Sequence, residues 1–472
     1  MKWTRNRFLP VCYVVVLVAL AVVGCTSKQD PDETLAVCGN ASCGDLVMVT
    51  TDTSSDGYQY LNPSMSPSGG RILFTADWWA LPADPRLTDD VYYVNYRQMI
   101  IIPVQEGIEP TDDLAAQGAE LIRLQETSVM IGGEPNRLQD VLNDDKGDPI
   151  WEDEDRVIFF LHLSRVGNRL FRANVAASTT IPGFSTIEPL WMEPSDATVS
   201  PRFWQHMNPN LSPDGRWLVF TRSGCAIPDS LETCTNLALY AMDMSTAGAN
   251  NGYGALVFPL TREYSRVERP RFSPDGRTIV FSGGLDVAGG NGSGTEIFTI
   301  DFDTTGLAAG GMALDNNLQR VTYTSYAEGD PLTGVLNSDP CYSASGTEIY
   351  FVSTRRAPTT TLHDRNVWRI PADGSRDPEI HFFSRYDDFD PTVQPDGTIL
   401  LSSMVGFPTS MLNRLENESY QRIKEANEQE HAEDPEVPLL NETQLQQAAA
   451  AERTQLEYFA GVMAHLYLYR GN

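Results

Sequence analysis

Positive charge is scarce in this sequence. Its 472 residues include 34 Lys and Arg against 63 Asp and Glu, so the formal net charge at pH 7 is −29. A surface of this sign repels nucleic acid and anionic lipid headgroups, and it favours basic partners or divalent cations. The composition therefore argues against a nucleic-acid partner and against membrane attachment through basic side chains.

Signatures of catalysis and of metal binding are also missing. No Gly-x-Ser-x-Gly motif occurs, so nothing marks the nucleophile elbow of an α/β-hydrolase. The histidines show no metal-ligand spacing: His162, His206, His363, His381, His431 and His465. Four Asp-rich stretches lack the spacing of an EF-hand loop: residues 143–149, 151–156, 301–306 and 385–391. We expect no cofactor, with a divalent cation such as calcium as the open alternative.

Long apolar runs are absent apart from one near the start. Residues 8–23 follow a basic segment, which is typical of a secretory signal and too short for a permanent span. The run ends in Val-Val-Gly-Cys, which resembles the lipobox of bacterial lipoproteins. We expect a lipoprotein signal peptide at 1–24, lipid attachment at Cys25 and a flexible tether at 25–45. Thr26 after the cysteine favours the outer membrane, with the protein facing the periplasm or the exterior.

Cysteine is sparse as well, with seven in the chain. Cys38 and Cys43 lie close together in the tether, and Cys225 and Cys234 bracket a loop. In an oxidising compartment both pairs are candidate disulfides. Cys341 is left over, and we expect it to be a semi-buried free thiol.

What the sequence does contain is a repeated turn. One copy is RFSPDGRTIVFSGG, at residues 271–284. Its Ser-Pro-Asp-Gly is typical of a type I turn, and the residues that follow alternate as in a strand. A second strand such as ALYAMDM (238–244) and a shorter third one follow before the next copy. Each unit thus supplies about four short strands, the content of a propeller blade. Six copies occur, each led by a proline: Pro63, Pro149, Pro209, Pro270, Pro340 and Pro391.

This order of elements resembles the TolB-like family of β-propellers, whose repeat runs as a Leu-Thr strand, a proline, SPDG and two further strands. The resemblance covers about residues 46–403 and the last few residues. It implies an all-β, six-bladed propeller with, by analogy, a role in the cell envelope beside the peptidoglycan-associated lipoprotein. The chain departs from that pattern because no α/β domain precedes the first blade and because it carries its own lipid anchor.

Both ends of the chain are expected to build the last blade. Strand patterns at 466–470 and 46–50 would supply its third and outer strands, which closes 46–472 into one ring without open edges. Helical spacing predicts a helical hairpin inserted at 410–464. Within it, Asn441 and Gln444 have the spacing of a capping box.

Two functions of different classes are the main candidates from the sequence, and a subunit of a larger surface complex is a third. The first is a non-catalytic, membrane-anchored lipoprotein that binds an envelope protein or peptide at one face or in the channel of a monomeric ring. The alternative is a metal-dependent polysaccharide lyase or hydrolase. In that enzyme, three histidines would converge on the central channel to hold the metal: His206, His363 and His381. All three fall in inter-strand loops or near blade starts.

Overall fold

Six four-stranded antiparallel sheets form the blades of the computed structural model. The innermost strands of neighbouring blades contact each other all the way round, and contacts between the last and the first blade close the ring. The predicted six-bladed propeller is thus confirmed. The structure describes residues 46–48, 59–78, 96–104, 120–124, 128–131, 134–137, 146–163, 167–175, 184–193, 203–225, 234–284, 295–324, 335–355, 365–382, 387–403, 409–433, 435, 437–460 and 465–469.

The strands are numbered in chain order from β1 (Leu46–Met48), which lies in the last blade. Blade 1 contains β2 (Gln59–Met65), β3 (Arg71–Trp78), β4 (Tyr96–Pro103) and β5 (Glu120–Leu121). Three short strands then precede blade 2: β6 (Arg123–Leu124), β7 (Ser128–Ile131) and β8 (Glu134–Arg137). Blade 2 contains β9 (Lys146–Trp151), β10 (Arg156–Leu163), β11 (Gly167–Asn174) and β13 (Ile187–Pro189), while β12 (Phe184–Ser185) pairs with β6.

The later blades follow the same order, from the axis outward. Blade 3 contains β14 (Phe203–Leu211), β15 (Trp217–Cys225), β16 (Cys234–Asp243) and β17 (Val257–Pro259). Blade 4 contains β18 (Arg266–Phe272), β19 (Thr278–Gly284), β20 (Glu296–Asp301) and β21 (Gln319–Arg320). Blade 5 contains β22 (Asn337–Tyr342), β23 (Glu348–Ser353), β24 (Asn366–Pro371) and β25 (Glu379–Phe382).

The last blade joins strands from distant parts of the chain. Its order is β26 (Asp388–Val393), β27 (Ile399–Ser403), β28 (His465–Tyr469) and β1. Tyr469 stands opposite Ile399 on one side and Leu46 on the other, both antiparallel. The ring is therefore held shut by ordinary ladder hydrogen bonds between its two ends.

The repeated turn has the local chemistry that its sequence predicts. In blade 4, the Gly276 N–H donates to the Ser273 carbonyl at 2.9 Å, and Gly276 adopts a φ of 69°. The Asp275 carboxylate accepts from the Ser273 hydroxyl at 2.6 Å and from the Arg277 N–H at 3.1 Å. These turns link the first and second strands of the blades at one end of the ring, which we call the turn face.

Apolar side chains pack between neighbouring blades, so that each blade depends on the next. Leu73 and Ile101 of blade 1 share one buried cluster with Phe159 of blade 2. Phe281 of blade 4 packs in the same cluster as Trp217 of blade 3. Each of these side chains is at most 2% exposed, and burial of large apolar groups is the main stabilising contribution to such a fold.

In the part of the chain that the structure describes, three helices accompany the strands: α1 (Thr304–Ala308), α2 (Thr409–Glu433) and α3 (Glu442–Ala460). Helices α2 and α3 pack together as the predicted hairpin, inserted between β27 and β28. The predicted capping box forms: the Asn441 N–H donates to Gln444 Oε1 at 2.9 Å, and the Gln444 N–H donates to Asn441 Oδ1 at 3.0 Å. Within the described part of the chain, no helix is both long and apolar enough to cross a membrane.

Candidate ligand-binding channel

The residue before each repeat proline points toward the axis of the propeller. These six residues form what we call the axial ring, and all have left-handed backbones with φ between 48° and 55°: Asn62, Asp148, Asn208, Arg269, Asp339 and Asp390. Each lies at a bulge in its innermost strand, where the register of the ladder shifts. Asn and Asp tolerate this backbone better than other side chains.

Arg269 is the exception in the axial ring, because an arginine in this conformation costs about 1–2 kcal/mol. Its guanidinium offsets that cost through ion pairs to three other blades. It lies 3.1 Å from Asp148, 3.1 Å from Asp339 and 3.3 Å from Asp390. Nη1 also donates to Asn62 Oδ1 at 2.6 Å. One side chain thus fills the axis and ties together blades 1, 2, 4, 5 and 6.

The electrostatics of the axial ring follow from these pairs. Burial alone would lower the pKa of Arg269, but the carboxylates of Asp390, Asp148 and Asp339 outweigh it and raise that pKa above its usual value. Burial raises the pKa of Asp390, against the opposing charge of Arg269. Removing the guanidinium would therefore leave three carboxylates close together without the cation that pairs with all of them.

The second oxygen of each carboxylate in the axial ring is also occupied. Asp148 Oδ2 accepts from the backbone and side-chain N–H groups of Asn208, at 2.9 and 2.8 Å. Asp390 Oδ2 accepts from the Asn62 N–H at 2.9 Å, and Asp339 Oδ2 accepts from the Ser338 hydroxyl at 2.8 Å. The ring is thus a self-satisfied plug rather than a set of open ligand oxygens.

Between the axial ring and the turn face lies a cavity of about 430 Å³. Asp148, Arg269 and Asp390 of the ring are at its floor, and turn residues such as Pro213, Pro274 and Pro395 form its rim. The walls come from the residue after each repeat proline, a set that we call the channel layer: Ser64, Ile150, Asn210, Arg271, Cys341 and Thr392. Further wall area is apolar or aromatic, from Leu211, Phe272, Tyr342 and Val393.

Polar members of the channel layer mostly bond to the next blade. Ser64 Oγ accepts from the Trp151 N–H at 3.4 Å, Asn210 Oδ1 accepts from the Phe272 N–H at 2.9 Å, and Thr392 donates to the Pro63 carbonyl at 3.3 Å. Arg271 differs. Among the described residues its guanidinium has one hydrogen-bond partner, the carbonyl of the adjacent Pro270 at 3.1 Å. Burial, and then the charge of Arg269, lowers the pKa of Arg271.

Cys341 faces the cavity as a free, buried thiol, 5% exposed. Burial raises the pKa of this thiol to about 12. It is therefore protonated at neutral pH and is a poor nucleophile, since the thiolate is the reactive form. Its burial is deeper than the semi-buried position expected from the sequence.

The predicted convergence of histidines on the channel is wrong for the two that the structure describes. His206 is 0% exposed and lies between blades 2 and 3, stacked on Trp191 at 4.5 Å with Nε2 3.1 Å from Glu193 Oε1. His381 lies on the outer strand β25 against Tyr350 and Tyr469. His363 lies outside the described residues. An inner strand presents some side chains to the axis and others to the neighbouring blade. The sequence pattern did not show that His206, on the inner strand β14, belongs to the second group.

The pKa values of this inter-blade cluster are displaced by burial. Burial lowers the pKa of His206 to about 4, although the hydrogen bond to Glu193 opposes the shift. For Glu193, burial acts to raise the pKa, but His206 and Arg222 outweigh it and hold it at about 2. His381 also has a pKa lowered to about 4, by burial and then by Arg369. A neutral imidazole and an ionised carboxylate are the states that suit this packing.

The Asp-rich stretches show ordinary turn chemistry where the structure describes them. Asp153 accepts from the Asp155 N–H at 2.9 Å, and Asp303 accepts from the Thr305 N–H at 3.0 Å. Across the described ranges, no group of three or more His, Cys, Asp and Glu is arranged to hold a metal ion.

Two of the predicted cysteine sites can be located. Cys225 and Cys234 stand directly opposite each other in the β15–β16 ladder, a register compatible with a cross-strand disulfide. The bond itself stays a prediction. Cys25, Cys38 and Cys43 lie outside the described residues, as do the whole predicted signal peptide (1–24) and tether (25–45).

The axial ring is the feature that sequence reasoning missed. Its signal was present, because an Asn, Asp or Arg precedes every repeat proline. A proline cannot donate to the ladder, so a strand that contains one is bulged or at an edge. A polar residue at six such bulges of a closed ring points to the axis.

No protein-family model matches this sequence, and no curated protein matches it. Among solved structures, the chain is similar to TolB from Acinetobacter baumannii at 17% identity and a TM-score of 0.39, over 71% of this chain and 61% of that one. The chain thus spans about three fifths of that protein.

Several enzymes are also among the similar structures. A puromycin-hydrolyzing peptidase of Mycobacterium tuberculosis has 13% identity and a TM-score of 0.42, over 76% of this chain and 46% of that one. An oligogalacturonate lyase in complex with manganese has 12% identity and a TM-score of 0.42, over 77% and 76%. Such likenesses concern the fold alone. The chain's own sheets define it as a six-bladed β-propeller with a plugged axis.

Proposed function

We propose that this protein is a non-catalytic binding propeller of the cell envelope, held at a membrane by lipid on Cys25. Its ligand is a segment of an envelope protein or a peptide that enters the channel from the turn face. The observation that carries this proposal is the cavity of about 430 Å³ above the plug. A volume of this size falls within the range of about 300–1,000 Å³ that is usual for ligand pockets.

The chemistry of the cavity supports binding rather than catalysis. Among the described residues that line it there is no histidine, and the two lining carboxylates, Asp148 and Asp390, are paired with Arg269. The Cys341 thiol is protonated at neutral pH because of its raised pKa. A general base must be free to take a proton, and a nucleophile must be deprotonated or have a base beside it. The Asp148 and Asp390 carboxylates are held by Arg269, and the Cys341 thiol keeps its proton, so none of the three meets these requirements.

A rim variant tests this function. Ala344 is exposed and lines the cavity, so Ala344→Trp would obstruct its entrance, whereas Ser345→Trp adds the same bulk one residue away from the lining. Each tagged variant would be isolated from detergent-solubilised membranes with its bound proteins. We expect an envelope protein to co-purify with the unaltered chain and with Ser345→Trp, and to be lost from Ala344→Trp. Equal recovery with all three would contradict binding through the channel.

The anchor is tested separately. Replacing Cys25 by Ser removes the acylation site, so the protein should move from the membrane fraction to the soluble fraction of the cell. Retention of the Cys25→Ser protein in the membrane fraction would contradict lipid anchoring at this residue, because buried acyl chains would supply the membrane affinity.

A further inference from the structure

Arg271 is the only charged residue of the channel layer. The other five members, Ser64, Ile150, Asn210, Cys341 and Thr392, are neutral at pH 7. The residue sits one step above the plug, on the same strand as Arg269, and lines the cavity. Any ligand that reaches the floor of the cavity therefore meets this guanidinium.

The hydrogen-bond capacity of Arg271 is largely unused within the part of the chain that the structure describes. A guanidinium carries five N–H donors, and one contact, to the Pro270 carbonyl, is made. The nearby carboxylates of Asp148 and Asp390 act on Arg271 through their charge, but Asp148, Asp339 and Asp390 form their ion pairs with Arg269, and none forms one with Arg271 among the described residues. A half-buried arginine with free donors and no carboxylate of its own is a site for an external anion.

The shape of the donor set selects the kind of anion. The planar fork of a guanidinium matches two coplanar oxygens, which a carboxylate offers. The wall beside it, from Ile150, Leu211, Phe272 and Tyr342, is apolar or aromatic and suits the side chains of a peptide. The strong negative charge of the whole chain disfavours a highly charged anion, so a single carboxylate on an otherwise neutral or basic segment fits best.

We propose that Arg271 binds a carboxylate of the peptide segment that enters the channel, either a C-terminal carboxylate or that of an Asp or Glu side chain. This inference rests on the proposed function, and it adds the chemistry by which the ligand is recognised. The plug below Arg271 sets the depth of the site, and the carboxylate lies at the deep end with the peptide leading out toward the turn face.

The test uses three pools of acetylated random hexapeptides, incubated with the full mature chain and measured by equilibrium dialysis and mass spectrometry. The first pool has free C-termini and no acidic side chains. The second has the same sequences with amidated C-termini. The third is amidated and contains one Glu per peptide. Arg271→Met removes the charge, and Arg277→Met is the matched control because that arginine is exposed at the end of the same turn.

We expect the first or the third pool to bind the unaltered chain about tenfold or more tightly than the second, as one charge-assisted carboxylate contact implies. Preference for the first pool identifies a C-terminal carboxylate, and preference for the third a side-chain carboxylate. Arg277→Met should keep the preference and Arg271→Met should abolish it. The comparison of pools on the unaltered chain stands even if Arg271→Met fails to fold.

The results that would overturn the inference are of two distinguishable kinds. If all three pools bind the unaltered chain alike, or if folded Arg271→Met retains the preference, peptide binding stands and the role of Arg271 is wrong. If no pool binds the folded, unaltered chain, the proposed peptide-binding function itself fails along with the inference.

Discussion

Arg269 Nη1 and Asn62 Oδ1 lie 2.6 Å apart at the axis of the propeller, although 207 residues separate them in the sequence. They come from blades 4 and 1, on opposite sides of the ring. This contact, with the three ion pairs of Arg269, turns the channel into a cavity that is closed at one end. The depth of the site is therefore set by one side chain.

Loss of the Arg269 charge should destabilise the ring. Asn is the test residue because it tolerates the left-handed backbone, as Asn62 and Asn208 do. Breaking a buried ion pair costs about 3–5 kcal/mol, and the 22% exposure of Arg269 places Arg269→Asn near the lower end. Urea unfolding at pH 7 measures the loss.

The pH dependence of the stability of Arg269→Asn gives a second test of the plug. Burial raises the pKa of Asp390 and the charge of Arg269 opposes that rise, so without Arg269 this carboxyl should take up a proton more readily, and Arg269→Asn should regain stability relative to the unaltered chain as the pH falls from 7 to 5. The control Arg277→Met should change stability by less than about 0.5 kcal/mol. Equal stability of Arg269→Asn and the unaltered chain at pH 7 would contradict the plug.

Acid should weaken the propeller through its buried histidines. The pKa of His206 is about 4 in the folded protein because burial lowers it from its usual value of 6.5. The unfolded chain therefore binds more protons in this window, and the stability is fully present above pH 6.5 and is lost as the pH falls toward 4. A shift of this size corresponds to about 3 kcal/mol for His206. His381 acts in the same direction.

Urea midpoints between pH 7 and pH 4.5 measure this effect. His206→Gln removes the titrating group, so its stability should fall less steeply with decreasing pH than that of the unaltered chain. His431→Gln, a change in the helical hairpin, serves as the control and should leave the slope as it is. A pH-independent stability of the unaltered chain over this range would show that His206 is not held neutral by burial.

The Cys225–Cys234 pair should form a disulfide when the protein is made in an oxidising compartment. The two residues face each other across the β15–β16 ladder. Closing such a short loop should contribute about 2–3 kcal/mol. A reducing agent should lower the unfolding midpoint of the unaltered chain but not that of a Cys225→Ser, Cys234→Ser double variant. Full alkylation of both thiols without prior reduction would rule the bond out.

Metal removal should have no effect on the purified mature protein. His206 is enclosed by Trp191 and Glu193, and His381 lies on an outer strand. Dialysis against a chelator should therefore leave the unfolding midpoint unchanged, and elemental analysis should find less than one transition metal per chain. A stoichiometric metal that is lost on His206→Ala or His381→Ala would revive the lyase or hydrolase hypothesis.

Local signals made the fold predictable, whereas the axial ring is visible in the sequence only when all six repeats are compared as parts of a closed ring. Pro, Asp and Gly fix each turn through bonds within a few residues, as Asp275 does, and the repeat of that turn gives the blade count. The direction of a side chain at a bulge depends instead on the backbone that ring closure imposes. Arg269 adopts a conformation that its own residue type disfavours, so no local rule would place it on the axis.

The central claim, that a partner enters the cavity from the turn face, is tested most directly by photo-crosslinking in intact cells. A photoreactive phenylalanine analogue would replace Gln394 at the rim of the cavity and, as the control, Tyr323, which is 64% exposed away from its lining. We predict one discrete envelope-protein adduct from position 394 that is absent from position 323 and lost in the Ala344→Trp background. No adduct from position 394, or the same adducts from both positions, would contradict the claim.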